Sequence, residues 1–170
     1  MGAGLREALA AYEDWKCFQI DHEGGDVSLS AQRKFMTACG QTTEVLNLQQ
    51  LRLYVGLVLE ETAELIEAME KLETSITAGQ PIHRNDIAEI LDAGGDIMVV
   101  AGGVINSIGI HPGNVLDRVW ATNLAKISPD GKVLRREDGK ILKPPGWEPP
   151  IFTDLADSVL EPKADKEKTE

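Results

Sequence analysis

Residues 48–77 read Leu48-Gln49-Gln50-Leu51-Arg52-Leu53-Tyr54-Val55-Gly56-Leu57-Val58-Leu59-Glu60-Glu61-Thr62-Ala63-Glu64-Leu65-Ile66-Glu67-Ala68-Met69-Glu70-Lys71-Leu72-Glu73-Thr74-Ser75-Ile76-Thr77. Leucine, valine, isoleucine and methionine recur at three- and four-residue steps, so the stretch is expected to be one long helix. Asn47 is a cap in front of it, Gly79 a stop behind it, and Pro81 lies just beyond. Working outward, Asn85 is expected to cap a helix from Asp86 to about Ile108, closed by Gly109. Pro112 suits the first turn of a further helix running to about Lys126. On the other side, Ser28 caps a helix to about Cys39, with Gly40 as its stop. Before it, Leu5 to Trp15 has helical spacing, broken by His22-Glu23-Gly24-Gly25-Asp26.

Past Lys126 the pattern changes. Ser128-Pro129-Asp130-Gly131 and Glu137-Asp138-Gly139 are turn signals, and Val133-Leu134 and Ile141-Leu142 lie between and after them. A small hairpin or an extended flap is expected there. Pro144, Pro145, Pro149 and Pro150 then forbid regular structure, and the charged end, 161–170, is expected to be disordered. The fold class is therefore all-α: a helical bundle with a short extended C-terminal flap. One domain is expected over residues 1–155, with a disordered charged tail at 156–170.

The chain has 170 residues, 42% of them hydrophobic, and a formal net charge of −11. That is enough apolar material for a core. Such an acidic chain is repelled by nucleic-acid phosphates and anionic membranes, so neither is expected as a partner. Cys17 and Cys39 form no CxxC pair and have no histidine cluster beside them, so two buried free thiols are expected rather than a zinc site. No basic region followed by an apolar run opens the chain. The most apolar stretch, Ile97 to Ile110, is shorter than a membrane span and contains Asn106, so a buried helix is expected. A cytoplasmic protein fits these features.

Some of the acids need more explanation than surface solvation. Glu61 and Glu64 are three apart and share a helix face with Leu57 and Ala68. Glu89, Asp92 and Asp96 form a second stripe among Ile90, Leu91, Ile97 and Val99, beside the small residues Ala93, Gly94 and Gly95. Carboxylates within an apolar stripe are costly without compensation, and a cation supplies it. Two antiparallel helices would bring the stripes face to face, and all-oxygen ligation suits Mg²⁺ or Mn²⁺. A di-iron bundle would call for Glu-x-x-His pairs, which His22, His83 and His111 do not make. An E-E-x-x-E string alone is common on exposed helices; Glu67, Glu70 and Glu73 are expected to be solvated, with Lys71 as their helix partner.

In order and spacing, these pieces resemble the MazG-like, all-α nucleoside triphosphate pyrophosphohydrolases, in particular their phosphoribosyl-ATP-pyrophosphohydrolase-like branch, often found in phages. The resemblance spans about Val27 to Pro150. It rests on Phe35-Met36 with Gly40-Gln41, Glu60-Glu61-x-x-Glu64-Leu65, Glu89-x-x-Asp92-x-x-x-Asp96, Gly109-Ile110, Asn123-x-x-Lys126, and Asp138-Gly139-Lys140-Ile141-x-Lys143-Pro144-x-Gly146-Trp147. Glu89 and Asp92 fit the family's E-x-x-D spacing literally. Counted back from Gly109, the family's last aspartate falls on Asp96 and its glutamate on Ala93. Glu61, Glu64, Asp92 and Asp96 are therefore the implied ligands, with Glu89 as an outer or third one.

The resemblance implies hydrolysis of a (deoxy)nucleoside triphosphate to monophosphate and diphosphate, with two or three Mg²⁺ per site and Mn²⁺ able to substitute. Glu60, about 100° around the helix from Glu61, would orient or deprotonate the water. Asn123, Lys126, Lys140 and Lys143 would meet the phosphates, and Phe35, Gln41 and Trp147 the base or sugar; Phe35 and Trp147 fit a core equally well, and Gln41 a solvated loop. A homo-oligomer is implied, a tetramer built as a dimer of dimers. Deoxynucleotides are the implied substrates, purine dGTP or dATP first. The alternatives are a dUTP- or dCTP-specific enzyme and, from another class, a catalytically silent helical interaction module.

Overall fold

The computed structural model describes residues 27–161. It contains α1 (Val27–Ala38), α2 (Leu48–Thr77), α3 (Arg84–Asn106), α4 (Pro112–Leu124) and α5 (Thr153–Leu160), with no strand among the described residues. The all-α expectation holds. Asn47 caps α2, its Oδ1 accepting from the Gln50 amide at 3.1 Å. The cap of α3 is His83 rather than Asn85, because the Asp86 carboxylate reaches back to accept from the His83 amide at 3.1 Å. In α4, Pro112 takes the first position and His111 Nδ1 accepts from the Gly113 amide.

Residues 78–83 reverse the chain, and α2 and α3 pack as an antiparallel hairpin. Gln50 Nε2 donates to Ser107 Oγ at 3.0 Å, the Tyr54 ring lies against Gly103, and Lys71 Nζ meets Glu89 at 2.8 Å. Each step forward along α2 is thus matched by a step back along α3. α1 lies across the far end of the hairpin from that turn, where Gln32 donates to the Val99 carbonyl. Met36, Tyr54 and Val100 form the core there, flanked by Leu57, Val58 and Val104. Gly109, at φ +90°, lets the end of α3 pass the Glu44–Val45 backbone, which a Cβ would approach to 3.0 Å.

The outer faces of the hairpin are apolar and open. On α2, Val55, Leu59, Ile66, Met69 and Ile76 follow three-, four- and seven-residue steps, and all are exposed. On α3, Leu91 and Met98 are 70% and 76% exposed. Two helices bury only the faces they turn to each other, so the apolar run at Ile97–Ile110 is only partly covered: Val100, Gly102 and Gly103 are buried, Met98 and Val99 exposed.

The C-terminal segment decides one open expectation, hairpin or flap, and departs from another. Two single antiparallel bridges, Ile127 with Val133 and Arg135 with Ile141, close turns at Gly131 and Gly139 in place of a regular hairpin. The helix α5 then crosses the expected domain end at 155, so residues 156–160 are helical rather than disordered. It is tied down by Arg118, whose guanidinium donates to the Ile151 carbonyl and holds Asp154 in a two-pronged ion pair, lowering that carboxyl to about 2. Cys39 is exposed, not buried, because it lies just past the end of α1. The helix from Leu5 to Trp15, Cys17 and the tail past Glu161 lie outside the described residues.

Candidate carboxylate site

Toward the turn from the Tyr54 core, the facing surfaces of α2 and α3 become small and acidic. Ala68 and Ala93 are buried between the helices, the only residues of that half to be so. Their lack of bulk lets the backbones approach and leaves the carboxylates to stand around the seam. The antiparallel register places Glu61 and Glu64 opposite Asp92 and Asp96. Glu61 is half-buried, while Glu64, Asp92 and Asp96 are exposed.

The field between the stripes is negative. Glu61 holds its proton more tightly than an ordinary glutamate, first because burial penalises its charge, then because Glu64, Asp96, Glu60 and Asp92 stand near it. Two of these neighbours come from each helix, so the two acid stripes do share one field. Glu89 is not among them. It pairs instead with Lys71, reaching across the groove at 2.8 Å. Lys71 therefore finds its carboxylate on the facing helix, not on its own. Between these elements lies a groove of about 280 Å³ whose walls include Glu64, Glu67, Lys71, Glu89 and Asp92.

The donor set fits a hard divalent cation: carboxylates from two helices, with no thiol or imidazole in the stripe. As they stand, no three Asp, Glu, His or Cys side chains among the described residues converge closely enough to hold an ion.

A second group of expected site residues converges elsewhere. Trp147 Nε1 donates to the Thr122 carbonyl at 2.7 Å, which pins the flap to α4. The Lys126 and Lys143 ammonium groups lie 5.5 and 4.3 Å from the Trp147 ring centroid. Lys126 also donates to Asn123 Oδ1 at 2.7 Å. Asn123, Lys126, Lys143 and Trp147 thus form one basic cluster, and among the described residues no hydrogen bond or ion pair joins it to the acid stripes. Lys140 stands apart: its amide closes the Asp138 turn, and its side chain is exposed. Gln41 is half-buried and accepts from the Tyr54 hydroxyl at 2.7 Å, so it belongs to the core's polar rim rather than to a solvated loop. Phe35 is 63% exposed and fills no core; Met36 beside it does.

Sequence reasoning did not anticipate the Lys71–Glu89 pair, the Thr122 anchor or the Arg118–Asp154 tie. All three depend on side chains from separate elements, and only the excess of acids around Lys71 hinted at the first. No helix among the described residues is long and apolar enough to cross a membrane. Comparison of the chain with protein-family models finds no match, and comparison with curated proteins finds none.

Proposed function

We propose that the protein is a divalent-metal-dependent nucleoside triphosphate pyrophosphohydrolase of the MazG-like kind, working in the cytoplasm on a deoxynucleoside triphosphate. The observation that carries this is the antiparallel register of α2 and α3, which sets Glu61 and Glu64 of one helix opposite Asp92 and Asp96 of the other. Carboxylates gathered this way are unfavourable until a cation neutralises them, and a triphosphate can approach them only with its cations. Glu61, Glu64, Asp92 and Asp96 would hold Mg²⁺ or Mn²⁺. When bound, the ions supply Lewis-acid activation of the phosphoryl group and of water. Glu60, exposed beside Glu61, is free to orient the water and take its proton. Lys126 and Lys143, on either arm of the Trp147 cluster, are suited to bind phosphate oxygens.

The outer apolar stripes support a homo-oligomer. Exposed apolar surface of this extent marks an interface, and heptad-like steps on α2 suit helix-on-helix pairing with a second copy. A second pairing would give the dimer of dimers. A partner copy would also bring a second basic cluster, whose lysines could serve an acid stripe that its own chain does not reach.

The test is release of monophosphate and diphosphate from a panel of NTPs and dNTPs with Mg²⁺ or Mn²⁺. Glu64→Gln and Asp96→Asn should each lower turnover at least about a hundredfold, since even outer partners of metal ligands cost 10–100-fold. No turnover of any nucleotide would replace the enzyme with a helical interaction module. Turnover that survives Asp96→Asn would move the ligand role to Glu89 and Asp92.

A further inference from the structure

Lys71 is the one cation among the residues lining the acid groove, and the structure gives it an unusual position there. It comes from α2, yet its ammonium sits on the α3 carboxylate Glu89, at the end of the groove nearest the interhelical turn. Ala68 and Ala93 form the buried floor beside it; Asp92 stands about one helical turn further in along α3, and Glu64 about two turns further in along α2. Lys71 keeps its proton firmly, held by Glu89 first and by the neighbouring Glu67 and Asp86 as well.

Both partners of the pair are about half exposed, at 58% and 49%. Exposed ion pairs contribute little to stability. A cation held this loosely exchanges one oxyanion for another at small cost, whereas a buried pair would not. Glu89, for its part, is not among the carboxylates that chiefly act on Glu61 and already has a positive partner.

We infer that Lys71 is a phosphate-binding residue of the groove, parked on Glu89 until a polyphosphate oxygen displaces that carboxylate, and that Glu89 is a positioning residue rather than a metal ligand. This rests on the pyrophosphohydrolase proposal and deepens it by naming the protein cation that meets the phosphate chain beside the metal ligands. It also explains why an acid stripe carries a lysine where plain solvation would be served by any polar residue. The Asp92 and Asp96 carboxylates stay free for metal, while Glu89 keeps Lys71 from folding in among them.

Calorimetric titration of the full chain with Mn²⁺, and then with inorganic pyrophosphate in the presence of Mn²⁺, tests the assignment. Lys71→Met should weaken pyrophosphate binding about tenfold, the loss of one charge-assisted hydrogen bond. Lys71→Arg should restore most of it. Glu89→Gln should leave Mn²⁺ affinity within about twofold of the unaltered chain, whereas Asp92→Asn should abolish it. Pyrophosphate affinity unchanged in Lys71→Met would overturn the inference while leaving the pyrophosphohydrolase standing. So would a loss of Mn²⁺ binding in Glu89→Gln as deep as in Asp92→Asn. If the unaltered chain bound no Mn²⁺ at all, the proposed function itself would fall, and the role of Lys71 with it.

Discussion

The two halves of the α2–α3 hairpin are built from the same kind of helix but held together differently. At the Tyr54 end, side chains interlock. The Tyr54 ring fills the space that Gly103 leaves, Gln50 is bonded to both backbone groups of Thr42 and to Ser107, and Met36 closes the core from α1. At the turn end, only Ala68 and Ala93 are buried between the helices, and acids line the seam. One half is a packed scaffold, in which the fully buried Asn106 side-chain amide is left without a hydrogen-bond partner among the described residues. The other resists its own folding electrostatically and carries the groove. Rigidity at one end positions charges at the other, and stability is given up where chemistry is proposed.

The largest expected effect contrasts two methionines. Met36→Ala should cost about 2–5 kcal/mol by emptying a fully buried site, seen as a lowered denaturation midpoint. Met98→Ala removes a side chain that is 76% exposed, and should change the isolated protomer by less than about 0.5 kcal/mol. If the outer face pairs with a second copy, melting of the unaltered chain should depend on protein concentration, and Met98→Ala should lower both the melting temperature and the mass measured in solution. A strictly monomeric unaltered chain would remove the oligomer from the proposal.

A second contrast uses glycines of α3. A methyl group at Gly103 would overlap the Tyr54 ring, so Gly103→Ala should cost about 1–3 kcal/mol despite its better helix propensity. Gly95 meets open space, and Gly95→Ala should stabilise the isolated protomer by up to about 1 kcal/mol. Equal effects at both positions, read from urea unfolding, would contradict the division of the hairpin into a packed and an open half.

The smallest effect concerns charge. The folded chain binds the Glu61 proton more tightly than the unfolded chain does. The resulting penalty is therefore fully present above the raised folded value and is relieved as pH falls through the carboxylate range. Glu61→Gln should raise the melting temperature slightly at pH 7 in chelator, with the gain fading on acidification. Mg²⁺ should raise the melting temperature of the unaltered chain and not that of the variant. A variant that melts lower than the unaltered chain in chelator at pH 7 would mean that the carboxylates do not repel across the seam.

The long helices and their apolar periodicity were legible in residues 48–77 and 86–108, because helix spacing is a local property of the chain. So were Asn47 as a cap, the turns at Gly131 and Gly139, and the acid stripes themselves, since residues three and four apart must share a face. Helix ends were less legible: Asp86 bonds backward, and His83 displaced Asn85 as the cap of α3. The helix α5 was hidden because it is short and its main tie, Arg118 to Asp154, spans 36 residues. Among the candidate ligands, sequence spacing allowed both Glu89 with Asp92 and Asp92 with Asp96. Only the register of two packed helices put Asp92 and Asp96 into the field at Glu61 and gave Glu89 to Lys71. Sequence alone determined which residues share a face; tertiary structure decided which faces meet, because that depends on the small side chains at Ala68, Ala93 and Gly103 that let two distant helices approach.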